Sequence, residues 1–168
     1  MAFVFAYGLD GTLTTPIKDM PLETVTNYTN GGMKKGDLVT TTAAGLIKRV
    51  GAAGGAGIGV TEGGEFTGLA GAPYTATNAS FTASSIDTTK NPNGVAKVRM
   101  DKAAVYKVPV AQSGAKQTAN NADIGVSYSI LLAAGTNDQT VDLNTTTTPS
   151  VKVVDYSKDG KFVFVTLV

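Results

Sequence analysis

The chain has no cysteine, no histidine and no tryptophan, and only 16% of its 168 residues are charged. Without cysteine there are no disulfides and no thiolate metal sites. Without histidine or cysteine there is no Ser–His or Cys–His nucleophile. Ser–Lys and paired-carboxylate mechanisms survive this filter, but the carboxylates are scattered along the chain. Basic residues do not form a stripe: Lys34-Lys35 and Lys48-Arg49 are isolated pairs, and the net charge is +1. No nucleic-acid partner is therefore expected. No apolar run approaches the ~18 residues of a membrane span, so no membrane partner is expected. The N-terminus lacks a basic stretch followed by a long apolar one, so no secretory leader is expected. A net charge near zero removes one brake on self-association, which suits a protein that works in an assembly.

Apolar residues make up 42% of the chain and glycines number 20. This supports a packed core, and disorder is not expected, since it needs low hydrophobicity with high net charge. Threonine and valine are abundant, and both fit a pleated surface. Long helix-forming windows are missing. The reading is all-β: a small β-barrel or sandwich of short strands with Gly-rich turns, plus an extended N-terminal arm.

Along the chain, Phe3–Tyr7 opens as a short strand. Residues 1–32 as a whole read as the arm, whose removal is expected to leave the rest folded. Residues 33–110 read as a barrel-like module. Asp37–Thr40 and Leu46–Val50 are strands there, and Glu62-Gly63-Gly64 is read as a turn between two more. Ala70–Gly94 reads as a long loop with one strand around Phe81, ended by the turn Asn91-Pro92-Asn93-Gly94. Strands return at Val95–Met100 and Ala104–Val110, where Pro109 marks an edge or a strand's end. Ala111–Ala122 reads as a connector. Residues 111–168 carry further strands, packed on or completing the same domain. Val151–Tyr156 and Lys161–Val168 form the clearest hairpin, with Gly160 in its loop where positive φ is needed.

Motifs of chemistry fail on inspection. Leu9-Asp10-Gly11-Thr12-Leu13 resembles the first motif of haloacid-dehalogenase phosphatases, but Gly8 stands where the nucleophilic aspartate belongs. The run Gly51–Gly59 fits neither phosphate-loop pattern. Asp87, Asp138, Asp142 and Asp159 read as turn or strand-end residues. Neither Asn137-Asp138 nor Asp87 with Asn91 has the spacing of an EF-hand, so no metal site is expected. Asn27, Asn78 and Asn144 begin glycosylation sequons that so threonine-rich a chain produces by chance. The six tyrosines are spread along the chain and read as core or strand-face residues. No catalytic, cofactor or metal residue is nominated, the residues that bind a partner stay unknown, and the chain is expected not to be an enzyme.

The order of elements carries a resemblance. Met33-Lys34-Lys35-Gly36-Asp37-Leu38-Val39, then Leu46–Val50, Ile58-Gly59-Val60 and Gly64–Gly68, resembles the small barrel of tailed-phage capsid decoration (cement) proteins. There a Gly-Asp-x-Val strand opens a Gly-rich meander. Ala104–Val110, Asp123–Tyr128 and Val141-Asp142-Leu143 are similar to the later part of such proteins, and the likeness spans residues 33–168. It implies a structural virion protein on the outer capsid surface. Its partner would be the lattice of major capsid protein, and it would act as a homo-oligomer, in many such proteins a trimer, with no cofactor. The alternatives are a tail or fibre β module, or a cell-surface adhesin or carbohydrate-binding domain.

Overall fold

Side-chain alternation builds the sheets. In Phe162–Leu167, Val163, Val165 and Leu167 are buried while Phe162 and Phe164 are half-buried on the other face. In Ala104–Pro109, Tyr106 and Val108 are buried and Lys107 is exposed. A period of two places such residues on opposite faces of a strand. The computed structural model describes residues 3–8, 17–23, 33–51, 55–66, 81–83, 89, 91–134 and 138–168.

The strands are β1 (Val4–Gly8), β2 (Ile17–Pro21), β3 (Leu38–Thr41), β4 (Ile47–Arg49), β5 (Gly59–Phe66), β6 (Phe81–Ala83), β7 (Val95–Arg99), β8 (Ala104–Pro109), β9 (Ser127–Leu132), β10 (Gln139–Asp142), β11 (Val151–Tyr156) and β12 (Phe162–Leu167). The first sheet runs β1-β8-β12-β11-β9-β10; the second runs β2-β7-β5-β3-β4, with β6 beside β5. All pairs are antiparallel except β5 with β6. No α-helix occurs among the described residues; a single 3-10 turn spans Asn121–Asp123.

Each sheet rolls until its far parts touch at one isolated bridge, Val110 to Val141 in the first and Leu22 to Ile47 in the second. No ladder closes either roll, so the fold is sandwich-like rather than a barrel. The main core joins Tyr106, Val108, Val153, Val163 and Ile130 of the first sheet to Leu38 and Val60 of the second. A smaller core gathers Leu22, Met33, Val39, Ile47, Ala96 and Val98. Adjacent residues Leu38 and Val39 thus serve different cores, and β3 is apolar on both faces because both are covered.

Gln139 fastens one sheet to the other. Fully buried on β10, it accepts a hydrogen bond from the Leu38 N–H at 2.6 Å. Its amide nitrogen donates to the carbonyls of Leu38 at 3.0 Å and Val50 at 2.7 Å. A side-chain amide here takes the place of a strand's peptide group.

The structure departs from the sequence reading at one point. Glu62-Gly63-Gly64 is not a turn but lies inside β5. Its pairing with β7 skips from Thr61 to Gly63, and φ of +120° at Gly63 absorbs the bulge. The described parts of residues 1–32 are edge strands of the two sheets, with Phe3 and Leu22 buried in the cores. Their partners in the sheets, β8 and β7, lie far along the chain. The Asp10-Gly11 turn, the Asn27–Gly32 stretch and Asp87 lie outside the described residues.

Two outcomes follow. Gln139→Leu strands the Leu38 N–H and the Val50 carbonyl in the core, and each orphan costs about 1–3 kcal/mol. Its urea midpoint should fall by the equivalent of about 2–5 kcal/mol; an unchanged midpoint would show that the clasp contributes nothing. At Gly160, φ is +67° and an added Cβ would lie 2.6 Å from the Ala119 carbonyl oxygen. Gly160→Val should therefore lower the melting temperature by roughly 10 °C, from about 2–4 kcal/mol of backbone strain and overpacking.

Candidate functional site

A concavity lies where β1 meets the second sheet. It has a volume of about 420 Å³ and is lined by Phe3, Val4 and Phe5, by the turn residues Lys35 and Gly36, and by Val60, Thr61, Glu62 and Arg99. Phe3 immediately precedes β1, and Val4 and Phe5 are its first two residues. β1 pairs with β8 on one side, and among the described strands none pairs on the other.

The wall opposite is set by the bulge in β5. Glu62 is the extra residue, and its carboxylate takes the Arg99 Nε at 2.7 Å and lies 3.8 Å from Lys35 Nζ. The Arg99 guanidinium sits 4.8 Å from the Phe5 ring centroid, in cation–π range. Lys35 is 59% exposed and Arg99 15%. Behind the cleft, Phe3 and Phe5 meet the Tyr106 ring edge-on at 6.1 and 6.3 Å. The buried Tyr106 hydroxyl has no hydrogen-bond partner among the described residues. Burial, helped by the fields of Asp101 and Glu62 and opposed by that of Arg99, holds this phenol well above its ordinary ionisation range.

The turn that carries Lys35 and Gly36 is fixed from below by Asp37. This carboxylate, 1% exposed, lies 3.0 Å from the Arg49 Nε and accepts the Lys34 N–H at 2.7 Å. The Asp37 N–H donates to the Thr61 hydroxyl, which donates onward to the Lys34 carbonyl. The Gly36 N–H reaches the Thr61 carbonyl at 2.7 Å, and the Gly36 carbonyl takes the Phe3 N–H at 2.8 Å. The backbone walls of the cleft are thereby locked to one another.

The other acidic groups hold loops. Asp123, fully buried, accepts from Lys116 Nζ, from the Tyr128 hydroxyl and from the Asn120 N–H. Burial pushes its carboxyl up, but these donors outweigh it and keep the carboxyl below the ordinary value. Asp142 accepts from Asn144 and Thr145 just after β10, and Asp159 accepts from Ser157 and Lys161 in the hairpin loop, as turn residues do. Asp138 pairs with Lys34 at 3.0 Å. The Asn144 amide is spent on Ser113, Lys116 and Asp142. No group of three His, Cys, Asp or Glu that could hold a metal occurs among the described residues; Asp87 and Asn137 lie outside them.

Sequence reasoning nominated no partner-binding residue. It noted Phe3–Tyr7 only as a strand and Lys34-Lys35 only as an isolated pair. Assembly of the cleft depends on the bulge at Glu62 and on long-range pairing, and neither leaves a local signal. Compared with protein-family models, curated proteins and solved structures, the chain matches none.

Burial is the largest influence on Asp37 and pushes its carboxyl from 3.8 up to about 6, against the pull of Arg49 and the Lys34 N–H. A raised carboxyl favours the folded state most below its unfolded value of 3.8, and that contribution disappears as the pH rises through about 6. A carbon-detected NMR titration should therefore find the Asp37 carboxyl midpoint near 6. A midpoint below 4 would mean that the Arg49 charge, not desolvation, governs the group.

Proposed function

We propose that the protein is a structural virion component that binds the outer surface of an assembled phage capsid and stabilises it. In this reading it acts as a homo-oligomer, in trimers, on the lattice of major capsid protein. What supports the reading is the use made of the residues behind the resemblance. Gly36-Asp37-Leu38-Val39 opens β3 at a turn locked by a buried aspartate, Leu38 and Val39 feed the two cores, and β4 and β5 continue as a glycine-punctuated meander. The buried charge in this meander is spent on holding a turn, which suits a rigid binding module.

The energetics of such a role are simple. A protein that binds only the assembled lattice stabilises that state by mass action. Repetition over many equivalent sites adds avidity to a modest single contact.

Purified protein should co-sediment saturably with undecorated, expanded heads and fail to bind unassembled capsid protein. Absence of binding to heads from the parent phage would overturn the reading and direct attention to tail parts or surface glycans.

A further inference from the structure

We propose that the outer face of the first sheet is a two-fold contact between copies of this chain, with Phe164 on the axis and Lys107 of each copy against Asp155 of the other. The inference is independent of the capsid reading. A two-fold contact closes on two copies, so any trimer would form through other surfaces.

The register of four strands carries it. Val4, Lys107, Phe164 and Asp155 are successive cross-strand partners on β1, β8, β12 and β11. Cross-strand partners stand on the same face of a sheet. That face is the outer one, because the residues that flank Lys107 and Phe164 in sequence, Tyr106, Val108, Val163 and Val165, are buried in the main core. Lys107 and Asp155 are exposed, Val4 is 53% exposed, and Phe164 is half-buried. Neither Lys107 nor Asp155 has an ion-pair partner among the described residues. The Asp155 carboxylate accepts the N–H of its neighbour Tyr156, and the Lys107 ammonium lies 4.4 Å from the Phe162 ring centroid. Phe162, two residues before Phe164, shares the outer face and is likewise half-buried. One row further along, Val105 and Thr166 are buried, so the exposed part of the face is the end that carries Phe162 and Phe164.

The spacing makes this face complementary to itself. Lys107 and Asp155 stand one strand to either side of Phe164, each about 4.8 Å away. Let two outer faces meet on a two-fold axis that runs along β12 in the plane between them. Each residue of β12 then meets its own copy, and β8 meets β11, since these two strands flank β12. Phe164 meets Phe164, Phe162 meets Phe162, and Lys107 meets Asp155 twice. The two ion pairs are reciprocal, as an isologous interface requires. Sheets packed face to face lie about 10 Å apart, a gap that aromatic rings from both sides fill. An axis turned across the strands would instead set Lys107 against Lys107 and Asp155 against Asp155. Charge therefore selects one orientation. The patch is small, so the dimer is weak, with a dissociation constant on the order of 10–100 µM.

The test is sedimentation equilibrium of the whole protein at concentrations up to about 1 mM, where a monomer–dimer equilibrium is expected. Lys107→Glu alone, or Asp155→Lys alone, places like charges together twice across the axis. Each should weaken association by at least about tenfold. The two substitutions together re-form the pairs with their charges exchanged, and should restore association to within about threefold of the unaltered protein. Both positions are exposed, so the fold does not depend on them. A protein that stays monomeric throughout would overturn the proposal. So would a dimer indifferent to the single substitutions, or a double variant as weak as the singles. Trimers that form regardless of these charges, with no dimer, would overturn it and leave the capsid reading standing.

Discussion

One buried amide sets the register of the two sheets across their shared core. Gln139 inserts its carboxamide beside Leu38 and Val50 and supplies the donor and acceptor that a neighbouring strand would have supplied. Main-chain groups in a core must be paired or they destabilise it. The Leu38 N–H has this partner, and through it β10 of the first sheet is registered on β3 of the second. Apolar contact between the sheets would tolerate sliding, whereas three directed hydrogen bonds do not. The position of the cleft follows from that registration, because β1 belongs to one sheet and Glu62 and Arg99 to the other.

Buried charges repeat the same logic on a smaller scale. Asp37 with Arg49 fixes the turn before β3, and Asp123 with Lys116 and Tyr128 fixes the connector before β9. Such pairs gain little net stability over well-packed apolar residues, because desolvation offsets their attraction. Their effect is to exclude other loop conformations, since any other arrangement leaves a charge buried and alone. The two aspartates respond to acid in opposite senses, one raised by burial and the other lowered by its donors.

Much of this was legible in the sequence where the signal is local. The all-β class followed from threonine, valine and glycine content. The hairpin of β11 and β12, with Gly160 at positive φ, followed from alternation and a turn residue. The strand at Phe81 and the end of β8 at Pro109 were likewise visible. What stayed hidden is non-local. The sequence around Glu62-Gly63-Gly64 carries turn chemistry, and only pairing with β7 makes it a bulge. Tyr7 and Val105 are cross-strand partners far apart in the chain, and nothing near either announces the other. Gln139 reads as an ordinary polar residue in a short strand; its burial appears only when two sheets meet over it.

The pairing of β1 with β8 and of β8 with β12 has a consequence for how the protein is made. The strand β1 must wait until residue 104 and beyond have emerged, and β8 in turn waits for β12. Contacts of such long sequence separation form slowly, because loop closure comes before any reward. The first sheet is therefore completed only once β12 has been made. Until then the nascent chain exposes the strand Val4–Gly8 with both edges open, at the stage when stray pairing is most dangerous.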